Sequence, residues 1–342
     1  MKLATLYVDP PYLQDRIFDP GKSIINRDDC LCFYRYLKDF FKFKGYFLST
    51  QDIHPVDQSE FVIYNSNYYT ESNIINTHKS FMIMWESELI APQIWNLKNH
   101  YKYNKIFTWC DTLVDQKKYF KYNYYYYSKN GFSGKFSEHK KLAVMISGNK
   151  TNSHRHELYS ERLKVINWFE RHQPADFDLF GPDWNKSVFH GVWRPLNRIK
   201  PLRNVQIFNH PCYRGEAEDK LATLANYKFS ICFENAKDIP GYITEKIWDS
   251  LSVGCIPVYC GAPNIFDCIP EGCIIDYRKY ASLPQLYQYL KAMHPAELRS
   301  RFDLIESAFM QSIAGNFSAR NVAENIGREI LRTNLNERGE LT

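Results

Sequence analysis

The 342-residue sequence has no apolar run approaching the ~20 residues that a bilayer-spanning helix needs, so any membrane contact is expected to be peripheral. It has no long stretch dominated by Gly, Ser or Pro and no low-complexity segment, which excludes an extended disordered arm. Zinc-finger spacing is missing from its nine cysteines, whose only close pairs are Cys30-x-Cys32, Cys255-x4-Cys260 and Cys268-x4-Cys273. Reduced packing thiols are therefore expected in place of metal ligands or disulfides. No basic and apolar leader with a small-residue cleavage site precedes the strand-like residues 3–8. The expectation is a cytoplasmic protein, at most peripheral to a membrane, in which the sequons at Asn149, Asn185 and Asn316 are accidental. A net charge of +5, dispersed along the chain, argues against a nucleic-acid partner.

What is present reads as two α/β domains, because a single hydrophobic core rarely grows beyond about 250–300 residues. Short β-branched or aromatic runs at 3–8, 46–49, 61–64, 81–85 and 105–109 are interleaved with a helix that carries Phe33, Leu37 and Phe41. Such alternation predicts a parallel, helix-covered sheet. The turn-rich residues 130–141 are the best linker, and the expected domains are 1–135 and 136–342. In the second domain, strands are expected at 142–147, 176–181, 228–233, 256–259 and 274–277. Helices are expected at 158–172, 216–224 and 244–251, followed by a helical C-terminal segment. The run 117–129, with Tyr124 to Tyr127, reads either as an aromatic stacking platform or as an edge strand and loop.

The segment richest in chemistry is Tyr227-Lys228-Phe229-Ser230-Ile231-Cys232-Phe233-Glu234-Asn235, a buried strand that stops at two polar groups. After a turn ending in Gly241, Tyr242-Ile243-Thr244-Glu245-Lys246 opens a helix. A helix N-terminus presents unpaired N–H groups and the positive end of its dipole, which suits a phosphate. A lysine in that first turn is mildly disfavoured, and a nearby anionic ligand is its simplest compensation. The bland alternative is Thr244 as cap, Glu245 and Lys246 as solvated charge, and Glu234 and Asn235 as partners of loop backbone.

Phe-Glu-Asn, a short loop, Gly-Tyr-Ile-Thr-Glu-Lys-Ile, then Gly-Cys-Ile-Pro-Val-Tyr-Cys-Gly-Ala-Pro together resemble the donor-site motif of the α-1,3/1,4-fucosyltransferases, glycosyltransferase family ten. The likeness runs from Tyr227 to about Tyr280. It implies a GT-B fold, with two Rossmann-like domains facing a central cleft. The implied activity is inverting transfer of L-fucose from GDP-fucose to a hydroxyl of an oligosaccharide or glycoconjugate, α-1,3 or α-1,4 to GlcNAc or Glc. Asn235, Tyr242, Glu245 and Lys246 would bind the donor. Further upstream, Arg162 before Asp178-x-x-Gly181 resembles the family arginine that contacts the diphosphate, with Arg155 as the competing candidate. The strand 81–85 ends near two acids and resembles the one whose carboxylate serves as general base, a role that falls to Glu86 ahead of Glu88. The loop between Asn235 and Tyr242 is one residue longer than the family's bacterial pattern, which weakens the assignment of Asn235.

No cofactor is expected to be required and no metal ligand is assigned, with a divalent ion at most stimulatory. The one DxD-like pair, Asp176-x-Asp178, lies in an expected strand where its oxygens would not converge. Tyr68, Tyr69 and Trp95 are candidate sugar-stacking groups. Two rivals remain: a GT-B transferase for another nucleotide sugar, and a noncatalytic glycan- or nucleotide-binding protein of the same fold.

Overall fold

The computed structural model describes residues 2–21, 23–65, 76–127, 131–199, 201–202 and 209–337. Two compact units result, Met1–Tyr127 with Ile313–Thr342, and Ser128–Ser312. Set beside the expected division at 135/136, these units divide at Tyr127/Ser128 and group the segment from Ile313 onward with the first unit.

In the first unit, β1 (Lys2–Tyr7), β2 (Tyr46–Thr50), β3 (Val62–Tyr64), β4 (Ser80–Met84), β5 (Lys105–Thr108) and β6 (Tyr119–Lys121) form one sheet in the order β2-β1-β3-β4-β5-β6. Every pairing is parallel. That explains the unbroken burial of β3 and β4, since a parallel sheet covered on both faces has no wet side. Helix α1 (Cys32–Phe43) buries Cys32, Phe33, Tyr34, Leu37 and Phe41, the face expected from the spacing.

The second unit holds β7 (Lys141–Ile146), α2 (Tyr159–His172), β8 (Phe177–Phe180), α3 (Lys220–Leu224), β9 (Tyr227–Phe233), α4 (Glu245–Ser252), β10 (Ile256–Cys260), β11 (Ile275–Asp276), α5 (Leu283–Ala292) and most of α6 (Pro295–Ala314). Its sheet is again all parallel, ordered β11-β10-β9-β7-β8. Helix α3 starts later than the expected 216 because Asp219 caps it, its carboxylate accepting the Ala222 amide at 2.8 Å.

The last helix, α7 (Ala319–Glu337), belongs to the first unit and packs on α1. Gly327 permits the close approach: a Cβ there would stand 2.5 Å from the Phe40 ring. Apolar spacing reveals that a helix has a buried face but not which partner covers it, hence the displaced boundary.

The two sheets share a strand order in which the chain reverses direction next to the first strand. Such a reversal leaves a crevice outside the strand carboxyl ends, where ligands bind in open α/β sheets. In the first unit it lies between β1 and β3, and in the second between β7 and β9.

Candidate active site

In the second unit the polar groups gather at the carboxyl end of β9. Glu234 follows the strand directly and has no exposed surface. Burying a carboxylate costs several kcal/mol unless it is bonded, and here both oxygens are engaged. Oε1 accepts the Thr244 amide at 2.8 Å and Oε2 the Thr244 hydroxyl at 2.7 Å. The strand end is thereby tied to the start of α4, while Ser230 and Ser250 join the same two elements at 2.8 Å.

Lys246 Nζ lies 3.3 Å from Glu234 Oε2, donates to Thr244 Oγ1 at 2.9 Å, and is 3.5 Å from Glu245 Oε1. Burial disfavours its charge, but Glu245 and Glu234 outweigh burial and hold its pKa above the ordinary lysine value. Two carboxylates of the chain thus already balance this lysine's charge. Burial likewise pushes Glu245 up, yet Lys246 and Lys220 prevail and bring it down to about 2. Lys220 also pairs with Asp249, so charges of alternating sign run along the start of α3 and the first turns of α4.

Gly241, at φ 84°, turns the chain into this helix, and its amide donates to Asn264 Oδ1 at 2.9 Å. Tyr242 beside it is buried, whereas Asn235 is half-buried.

Arg162 occupies the apolar stripe of α2 with Tyr159, Val165, Ile166 and Phe169, and is only 5% exposed. Its Nη2 donates to the carbonyls of Phe233 at 2.6 Å and Glu234 at 2.7 Å, and to Asn235 Oδ1 at 3.1 Å. Burial draws its pKa below the ordinary guanidinium value, and the nearby Tyr159 and Glu234 oppose that pull. This guanidinium organises the end of β9. Arg155 is exposed, on a stretch that runs antiparallel to the loop after β9 through the Glu157–Ala236 bridge. Lys237 donates its amide to the His156 carbonyl at 2.8 Å, fixing that register.

The DxD-like pair is committed elsewhere. Asp176 holds Lys291 at 2.8 Å and Tyr287 at 2.7 Å, while Asp178 holds Lys141, Arg214 and Tyr227. Among the described residues no group of three or more His, Cys, Asp or Glu is arranged to hold a metal ion.

In the first unit, Glu86 stands two residues beyond β4 and is half-buried, whereas Glu88 is exposed. Tyr12 is close enough to feel its charge: burial first, then Cys30, Asp9 and Glu86, push that phenol upward. Trp85 donates its indole N–H to Asn65 Oδ1, which also accepts from Tyr34 Oη at 3.0 Å. The tyrosine run follows the edge strand β6 and packs: Tyr125 stacks on Phe33 at 5.2 Å, and Trp85 meets Tyr122 edge-on at 4.9 Å. Trp95 is half-buried, its ring 5.5 Å from that of Trp109. Tyr68 and Tyr69 lie outside the described residues.

Sequence reasoning assigned no role to Lys220, and gave Glu234 and Thr244 only the structural roles of loop-backbone partner and helix cap. An acid directly after an apolar parallel strand was the available signal for Glu234, since such a position is buried and needs donors. Arg162 could have been read as buried from its place three residues after Tyr159 and three before Val165.

Residues 136–302 match the model of glycosyltransferase family 10 (fucosyltransferase), C-terminal domain. An alpha-(1,4)-fucosyltransferase of Arabidopsis thaliana is 36% identical over 110 residues, covering 30% of this chain and 27% of that protein. The alpha-(1,3)-fucosyltransferase FucT of Helicobacter pylori is 28% identical over 116 residues, 32% of this chain and 23% of its own length. GDP-fucose protein O-fucosyltransferase 3 of Xenopus laevis is 36% identical over 121 residues, 35% of this chain and 25% of that protein. The matched stretch thus spans about a quarter of each relative. A crystal structure of an alpha1,3-fucosyltransferase with GDP superposes with a TM-score of 0.57 at 14% identity, covering 98% of this chain and 91% of that one. The Anabaena protein HepE in complex with UDP-glucose gives 0.52 at 10% identity, covering 96% and 99%. At such identities the likeness establishes the fold, a GT-B type with two Rossmann-like units.

Proposed function

We propose that this chain, whose residues 136–302 match the glycosyltransferase family 10 model, transfers L-fucose from GDP-fucose to an acceptor hydroxyl with inversion at the anomeric carbon. The observation that carries this reading is the set Glu234, Thr244 and Lys246 at the crevice between β7 and β9. It fixes a lysine ammonium in the first turn of a helix, where the helix amides and dipole already favour an anion.

In the proposed reaction the acceptor oxygen attacks the anomeric carbon, the bond from that carbon to the GDP oxygen breaks, and the acceptor proton passes to the Glu86 carboxylate. Negative charge then grows on the departing diphosphate, and Lys246 with the amides of α4 offsets it without reorganising. Glu245, held ionised, accepts hydrogen bonds from sugar or ribose hydroxyls. The geometry favours Arg155 for direct contact with the diphosphate, with Arg162 acting through the strand end and Asn235 that it holds. Tyr242 helps to shape the same pocket. No metal enters the scheme.

The proposed acceptor is an oligosaccharide or glycoconjugate, with fucose added α-1,3 or α-1,4 to GlcNAc or Glc. Likeness to a protein O-fucosyltransferase is the reason to test peptides beside glycans. Mass spectrometry of acceptors incubated with GDP-fucose tests the reading: a mass gain of one deoxyhexose with release of GDP supports it, and no gain on any acceptor refutes it.

A further inference from the structure

The three residues that carry Glu86 away from β4 have every backbone carbonyl tied. The Trp109 indole N–H donates to the Trp85 carbonyl at 2.8 Å, and the Trp95 indole N–H donates to the Glu86 carbonyl at 2.9 Å. The Ser87 carbonyl accepts the amides of Ile90 and Ala91, each at 2.9 Å. The last of these is an ordinary turn, but the first two use long side chains to hold consecutive main-chain oxygens, and the two indoles pack together. Trp109 has no exposed surface, and Trp95 packs against the core of Val62, Tyr64, Met82 and Met84. The donors are thus anchored in the sheet's own core rather than in a loop.

A group that takes a proton during bond formation must stand within a fraction of an ångström of its working position, and a misplacement of about 1 Å costs on the order of 100-fold in rate. A strand end is otherwise free to pivot, because the ladder of hydrogen bonds stops there. We infer that Trp95 is a positioning residue, whose indole N–H sets the place of the Glu86 carboxylate by holding the Glu86 carbonyl. The inference rests on the reading of Glu86 as the base. It replaces the expected sugar-stacking role of Trp95.

The test compares Trp95→Phe, which keeps an aromatic ring in the packing and removes the N–H donor, with Glu86→Gln in the same transfer assay. Trp95→Phe should lower kcat about tenfold or more while the KM for GDP-fucose stays within a factor of two and the folded fraction, by circular dichroism, stays that of the parent. Glu86→Gln should lose transfer. If Glu86→Gln transfers normally, the reading of the base fails and the inference falls with it. If Glu86→Gln is inactive but Trp95→Phe keeps the parent kcat, only the inference is overturned. A loss in Trp95→Phe that follows the folded fraction assigns the tryptophan to stability alone and overturns it too.

Discussion

The ammonium of Lys246 sits 3.3 Å from a carboxylate oxygen of Glu234, a side chain with no exposed surface. The pair links a strand end to a helix start at the crevice where the second sheet reverses. It is therefore both a structural bond and the proposed anion contact, and a substitution will touch both roles.

Lys246→Met should lower turnover with GDP-fucose by about 100-fold or more, the scale of an electrostatic contact made in the transition state. It should also cost about 1–3 kcal/mol of stability, because Glu234 keeps its Thr244 bonds but loses its cation. Chemical denaturation beside steady-state kinetics separates the two effects. Turnover equal to that of the parent would remove Lys246 from the site.

Arg162 and Arg155 should fail in different ways. Arg162→Met abandons two buried carbonyls and Asn235, so it should destabilise by about 2–4 kcal/mol. Arg155→Ala, at an exposed position, should leave the melting temperature unchanged while raising the KM for GDP-fucose and lowering kcat. The opposite pattern would return the diphosphate contact to Arg162.

These two arginines mark what the sequence made legible and what it did not. Alternating apolar runs located the strands of both sheets apart from β6, which lay inside the run read either as a stacking platform or as an edge strand and loop. Apolar spacing likewise found the buried face of α2. Spacing could not say that Arg162 would turn inward to carbonyls 71 and 72 residues away, because those acceptors exist only after β9 is placed. The acids that compensate Lys246 were visible as residue types, but their convergence depends on the loop between Asn235 and Thr244. The return of α7 to the first unit is a choice of partner, and periodicity carries no partner information.

Acid should act on the charge chain in a definite direction. Glu245 has a folded pKa of about 2, below the ordinary carboxylate value, so its contribution to stability is complete above about pH 4.3. It is then lost as the pH falls through the folded value. Between those limits Glu245→Gln should flatten the fall in stability, and denaturation at pH 7 and pH 3 reads the difference. An unchanged slope would mean that the lysines do not hold this carboxylate.

Glu86→Gln should abolish transfer yet leave GDP binding by calorimetry within about twofold, since the proposed proton acceptor belongs to the unit that does not carry the donor motif. Loss of GDP binding would make Glu86 a structural residue.

The central claim is fucosyl transfer, and its most direct measurement is a transfer assay with GDP-fucose over a panel of glycans and peptides, run with and without EDTA. The account predicts fucosylated product with stoichiometric GDP in both conditions. Product from a different nucleotide sugar alone, or none from any donor, would contradict it.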